Sequence, residues 1–379
     1  MYIPAWPSLN PADFVKPDRG GELPFPLDSS SKTFFYVARN GIYHLARALG
    51  LERGATVLAP DYHHGNEIHA LRAAGARIKY YPVNKNLEVD LNVVAKLCAG
   101  GPRVLYVTHY LGWPQPMAEL QAFCRERRIV LVEDCALAFM SHYDGKPLGT
   151  FGDYSVFCLY KSVPLPNGGV LVRNNSGAKP LDKLELKRCS GLSVAGRSTE
   201  LMLQWIRLRY ETCGHALFGL KRMAGQALST CRLSRTPVGD TGFDLCRVNA
   251  AMSPICHTLL RRFHYDSIKE SRRRNFTLLQ ERLRGKVSLL EKNLGDGVCP
   301  LFFPLFVSDK HRAAQTLWRR GIETIEFWNS GDPEAQDEGS DADFLRRHML
   351  EVPIHQDVTL GAVDYMAEQI IKLGVGLPA

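Results

Sequence analysis

The sequence has no run of eighteen apolar residues, which excludes a helix that spans a bilayer. Its ten cysteines, Cys98 to Cys299, contain no C-x-x-C pair. That scatter speaks against both a disulfide frame and a zinc site; reduced, mostly buried thiols and no bound metal are expected. The opening "MYIPAWPSLNPADF" lacks the basic and apolar regions of a signal peptide, so a cytoplasmic location is expected. No G-x-G-x-x-G follows an apolar strand, which disfavours a dinucleotide-binding oxidoreductase. Helix-turn-helix, zinc-finger and RNA-binding signatures are also missing. The net charge of +8, from 47 Lys and Arg against 39 Asp and Glu, therefore reads as a solvated basic surface rather than a nucleic-acid interface.

What is present is a chain of 379 residues, 45% hydrophobic, enough for a large unit and a smaller one. From about 37 to 175, short runs rich in Val, Ile and Tyr alternate with segments of helical period, the pattern of a mostly parallel sheet with crossover helices. Strands are predicted at "ATVLAP", "ARIKYYPV", "RVLYVTHY", "IVLVED", "YSVFCLY" and "GGVLVRN". Beyond Val172, 185–235 reads as largely helical and 248–283 as one long charged helix. The rest mixes strands and helices at α+β spacing, with the acidic "GDPEAQDEGSDAD" at 331–343 as a surface loop. The expected division is a large α/β domain with an N-terminal arm over 1–250 and a small C-terminal domain over 251–379.

Two strand ends carry chemistry. "IVLVED" stops on Asp134, and Lys161 stands between "YSVFCLY" and the turn "PNGG". Taken singly, the acid could be a cap or an ion-pair partner and the lysine merely solvated. Together, a lysine that can be desolvated is a nucleophilic amine, and an aspartate can keep a pyridinium nitrogen protonated. Those are the parts of a pyridoxal-phosphate site, placed where parallel strands end and loops can approach a ligand.

"YLGWPQPMAEL" followed by "IVLVEDCALAFMSHYDGKPLGTFGDYSVFCLYKSVPLPNGGVLV" resembles the DegT/DnrJ/EryC1/StrS aminotransferases, sugar aminotransferases of pyridoxal-phosphate fold type I. "IYHLARALGLERGATVLAPDYHHGNEIHALRAAGARIKYYPV", "RRGIET" and "EVPIHQDVTLGAVDYMAEQI" extend the likeness over most of the chain. The resemblance implies that Asp134 pairs with the pyridine nitrogen and that Lys161 holds the cofactor covalently and later shuttles a proton. It puts the family's stacking aromatic on His64, which could equally be an unused loop residue. Its phosphate-binding pair falls on Arg39 and Asn40 before "GIYHLARALG", where a helix N-terminus suits a phosphate. The phosphate-holding serine falls on Cys158. The segment that reaches the neighbouring subunit's phosphate is echoed in "GFDLCRVN" by Asp244, Arg247 and Asn249, which implies a homodimer. The family's Gln or His that contacts the cofactor hydroxyl is Leu137 here.

The resemblance implies transfer of an amino group from an amino-acid donor to a keto sugar or sugar-like acceptor, free, nucleotide-linked or lipid-linked. Two other readings stay open: an idle relative acting as subunit or regulator, and a pyridoxamine-phosphate-dependent sugar dehydratase, which Lys161 argues against because such members carry histidine there. The basic segment 199–235 has a plain reading as a packed helix. Its sharper reading is a cover that receives an anionic acceptor through Arg207, Lys221 and Arg222, with peripheral contact to an anionic membrane surface.

Overall fold

The computed structural model describes the chain except residues 19, 182–183, 211–237, 239–241, 330 and 336. Seven strands form the central sheet: β1 (Lys32–Phe35), β2 (Thr56–Pro60), β3 (Arg77–Tyr81), β4 (Val104–Thr108), β5 (Val130–Asp134), β8 (Tyr154–Cys158) and β9 (Gly169–Arg173). A two-stranded ribbon, β6 (His142–Tyr143) with β7 (Lys146–Pro147), lies between β5 and β8 in the chain. The sheet order is β1-β9-β8-β5-β4-β2-β3, and β9 alone runs against its neighbours. The six predicted strands all form. β1, "KTFF", was not anticipated; its four residues pair with β9 from Lys32↔Val172 to Phe35↔Gly169.

The strands are near-continuous apolar runs because both faces of the sheet are covered. Helices α1 (Ala38–Ala48) and α2 (Asn66–Ala73) pack Ile42, Leu45, Ile68 and Leu71 on one face. On the other face Leu58, Leu105 and Leu131 join a cluster that continues to Leu279, Leu305 and Leu350 in the C-terminal third. The remaining early helices are α3 (Leu91–Leu97), α4 (Met117–Arg127), the single turn α5 (Leu159–Ser162) and α6 (Gly191–Arg209). Among the described residues, no helix is long and apolar enough to cross a membrane.

The predicted single helix over 248–283 is two: α7 (Pro254–Leu260) and α8 (Tyr265–Leu283). No Pro or Gly marks the break. It is held by tertiary contacts, with the Tyr265 hydroxyl donating to the Leu260 carbonyl at 2.6 Å and Arg262 Nη1 to the Asp13 carbonyl at 2.9 Å. Beyond it, β10 (Phe302–Phe306) and β11 (Met349–Pro353) pair antiparallel, flanked by α9 (Lys310–Trp318), α10 (Asp341–His348) and α11 (Leu360–Lys372). The stretch 331–343 is not simply a surface loop. Asp332 is 1% exposed and pairs with Arg72 at 2.5 Å, and Asp341 already begins α10.

The N-terminal arm crosses to the C-terminal third. Ile3 N–H donates to the Gly321 carbonyl at 2.8 Å, and Trp6 meets Phe302 edge-on at 5.1 Å. The α6 helix covers this arm. Gln204 Nε2 donates to the Trp6 carbonyl at 2.6 Å, and Arg207 lies 3.5 Å over the Tyr2 ring and 3.7 Å from Glu323. Arg207 is thus committed to intramolecular packing, in line with the plain reading of its segment and against its use as an acceptor contact. Lys221 and Arg222 lie outside the described residues.

His355 fastens the same arm. Its Nδ1 accepts the Asp357 N–H at 3.3 Å, so Nε2 carries the proton donated to the Pro4 carbonyl at 2.8 Å. Burial holds the imidazole down to about 4, against the pull of the Asp357 carboxylate. A histidine neutral in the fold and free to protonate when unfolded weakens the fold as pH drops from about 6.5 towards 4. The stability difference between the wild type and His355→Gln should therefore shrink by up to about 3 kcal/mol between pH 7 and pH 4 in urea denaturation, at about 1.4 kcal/mol per unit. A difference independent of pH would contradict this account.

Candidate active site

The carboxyl ends of β2, β4, β5 and β8 open on one cavity, as expected for parallel strands. Asp134, Thr108, Cys158 and Lys161 line it, with His64 from the loop after β2 and Arg39 from the start of α1. β5 and β8 are in parallel register with Asp134 opposite Val156, so Asp134 and the α5 turn that bears Lys161 leave neighbouring strands on the same side.

Asp134 is 6% exposed, and its carboxylate is fixed from two directions. Oδ2 accepts the buried Tyr106 hydroxyl at 2.7 Å, and Oδ1 the Ala136 N–H at 2.9 Å. Its neighbour Glu133 explains why the acid pair and the "GTFGD" stretch belong together. Glu133 is fully buried and accepts the N–H groups of Gly149, Phe151 and Gly152 at 2.9, 2.7 and 2.5 Å, holding that loop behind β5. His109, Glu133 and Cys135 come within metal-ligating range of one another. The donors of His109 and Glu133 are spent on the fold: His109 Nε2 meets Glu133 at 3.1 Å, and Nδ1 accepts Gln115 N–H at 3.1 Å.

Lys161 is half-buried, with Nζ 5.4 Å from the centre of the Phe327 ring. Its turn is clamped from below by Arg272, 1% exposed on α8, whose Nη2 donates to the Ser162 carbonyl at 2.9 Å and Nη1 to the Leu301 carbonyl at 2.8 Å. The glycines after it serve backbone packing. A Cβ on Gly169 would lie 2.3 Å from Ala38 N, so only glycine lets β9 run this close beneath the first turn of α1. Gly168 has φ +144, the region that favours glycine. The approach places the α1 amides at the cavity: Val37, the N-cap, has no side-chain bond to them.

His64 is half-buried, and burial with the Lys161 charge pushes it down to about 4, leaving a neutral flat ring at neutral pH. Cys158 is buried at the cavity wall, its thiol pushed up by burial. Leu137, also on the wall and 2% exposed, offers no hydrogen bond. Asn40 is not brought to the cavity: it is 4% exposed and its Nδ2 donates to the Arg247 carbonyl at 3.0 Å. Arg247 and Asn249 lie apart from it too, lining a separate cleft with Tyr36, Lys187 and Ser190; Arg247 pairs with Asp244 at 3.3 Å.

Several contributors escape the sequence reading. Trp328 lines the cavity from the C-terminal third, at φ +60 and 4.7 Å from the Tyr62 ring. Beneath it Lys310 Nζ donates to the Phe327 carbonyl at 2.5 Å, and Phe327 N–H to the fully buried Glu351 at 3.0 Å. Arg346 ties this turn to the His64 loop through the carbonyls of Trp328, His63 and Asp61 at 2.8, 3.1 and 2.7 Å. Glu67 is the remaining acid on the wall. His64 Nδ1, Thr108 Oγ1 and Trp328 Nε1 are buried without hydrogen-bond partners among the described residues, three polar atoms at the wall of one cavity. Such atoms are costly unless a ligand meets them. An amine, a fixed carboxylate, a neutral planar ring and the start of α1 with Arg39 suit a flat, phosphorylated pyridine with an aldehyde.

The sequence profile of the DegT/DnrJ/EryC1/StrS aminotransferase family matches residues 39–215. The GDP-perosamine synthase of Escherichia coli O157:H7 is 29% identical over 136 residues, 35% of this chain and 37% of that protein. The dTDP-4-dehydro-2,3,6-trideoxy-D-glucose 4-aminotransferase of Saccharopolyspora spinosa is 27% identical over 218 residues, 56% of this chain and 55% of that protein. The chain thus spans between about a third and just over half of the length of these curated relatives. Among solved structures, the Helicobacter pylori aminotransferase PseC, involved in the biosynthesis of pseudoaminic acid, superposes with a TM-score of 0.66 at 15% identity, covering 98% of both chains. At that identity the likeness shows the fold.

Proposed function

We propose, from the match of residues 39–215 to the DegT/DnrJ/EryC1/StrS aminotransferase family, that the chain is a pyridoxal-phosphate-dependent aminotransferase of that family. It moves an amino group from an amino-acid donor to the keto group of a sugar or sugar-like acceptor. The observation that carries the reading is the convergence of Asp134 and Lys161 on one cavity from neighbouring parallel strands. When bound, the cofactor supplies an electron sink for the carbon that exchanges the amino group. Asp134, held by Tyr106 and Ala136, would pair with the ring nitrogen and favour its protonated form. Lys161 would hold the cofactor through Nζ and would take and return the proton at the substrate carbon. His64 would face the ring, and the start of α1 with Arg39 would hold the phosphate. Trp328 and Phe327 shut out water on the side of Lys161.

A homodimer is proposed with it. Arg247 and Asn249 stand on a cleft away from their own chain's Lys161, where residues serving a partner's phosphate would stand. Full activity in a species that sediments as a monomer would contradict this part. The reading as a whole is tested by loading the protein with pyridoxamine phosphate and adding keto sugars, free, nucleotide-linked or lipid-linked. Conversion of the cofactor to its aldehyde form by at least one of them is expected. No conversion by any, in protein that binds the cofactor, would count against an aminotransferase.

A further inference from the structure

Glu67 stands where a protein would rarely leave an unused acid. It is the second residue of α2, 8% exposed, and it lines the cavity with Asp134 and Lys161. Its Oε1 accepts the His64 N–H at 3.0 Å, which fixes the side chain back over the His64 loop. Its own backbone N–H and that of His64 favour the ionised form. As a helix-start acceptor alone it needs no charge, and Ser, Asn or Gln would serve at less cost than a buried carboxylate. Burial and the nearby Asp134 push its carboxyl up to about 7, while the Lys161 charge pulls it down. The groups that act on it or respond to it come from every element around: Asp134 on β5, Lys161 on α5, Tyr106 on β4, Tyr110 just beyond it, Tyr80 on β3 and Arg346 on α10. The same cavity has a gap in polar contacts at Leu137.

We propose that Glu67 is a positioning residue of this site, a second carboxyl group that sets the charge around Lys161 and so the pH at which the nitrogen joining Lys161 to the cofactor gives up its proton. This rests on the cofactor reading above. With Glu67 ionised, two carboxylates stand at the cavity beside one lysine, and a cation at that nitrogen is favoured. With Glu67 neutral, Asp134 alone offsets it. The site thereby couples a proton on Glu67 to a proton on the linkage, and each raises the cost of the other.

The test is the pH midpoint of the visible absorbance band in protein loaded with pyridoxal phosphate. Glu67→Gln keeps an acceptor for the His64 N–H and removes the charge, so its midpoint should fall by about 1 unit, the lower end for loss of a close opposite charge. Glu67→Asp keeps the charge and should hold its midpoint nearer the wild type. Midpoints unchanged in both, or lowered equally in both, would show that charge at residue 67 does not reach Lys161 and would overturn the proposal. No visible band in the wild type at saturating cofactor would overturn the cofactor reading itself, and this inference with it. A band with an unmoved Glu67→Gln midpoint overturns this inference alone.

Discussion

Lys161→Ala should bind pyridoxal phosphate only reversibly and turn over at least about 10³-fold more slowly than the wild type, within the range for loss of a positioned proton carrier. Lys161 is the one lysine on the wall of the cavity among the described residues. The turn that bears it has one carbonyl fixed by Arg272 and lies under the Phe327 ring. A lysine elsewhere cannot take over without rebuilding α5. The fold should survive the change, because a half-buried side chain is removed without leaving a buried polar group unmet. Denaturation close to that of the wild type, with covalent cofactor gone, is the expected pair of results. Turnover within tenfold of the wild type would dismiss Lys161 from the chemistry.

Arg272→Leu should cost about 3 kcal/mol in denaturant unfolding, because the Ser162 and Leu301 carbonyls lose a charged donor inside the protein. Cofactor retention should fall alongside, since the Ser162 carbonyl is what ties the Lys161 turn to α8. Arg272→Lys should rescue little: one ammonium cannot reproduce a planar fork reaching both carbonyls. A loss below about 1 kcal/mol, or full rescue by lysine, would mean that the clamp matters less than its geometry says.

The difference between these two residues shows how far the sequence could be read. Asp134 and Lys161 were legible because they stand at or just beyond the end of an apolar strand, and strand ends in a parallel sheet define the functional edge. Arg272 sits in "SRRRN", which reads as a solvated charge run. Only its spacing to Asn275, Phe276, Leu279 and Leu283, the buried face of α8, could have marked it. Arg346 gave less warning still, since its acceptors at 61, 63 and 328 are remote in the chain. Glu67 carries no local mark of its role, since its burial beside Asp134 is a product of the tertiary fold. The close approach that glycine permits in "PNGG" is made by backbone, since Gly169 gives room to Val37 and Ala38. Asn40 matched its expected position in the chain, yet its amide is spent on the Arg247 carbonyl, a contact 207 residues away that no local pattern encodes.

The central claim is that Asp134 and Lys161 hold a pyridoxal phosphate between them. It is tested most directly by borohydride reduction of the cofactor-loaded wild type, followed by peptide mapping. The account predicts loss of the visible band and a single reduced cofactor on the peptide that contains Lys161. Recovery of the label on Lys146 or any other lysine, or no label at all from protein that shows the band, would contradict it.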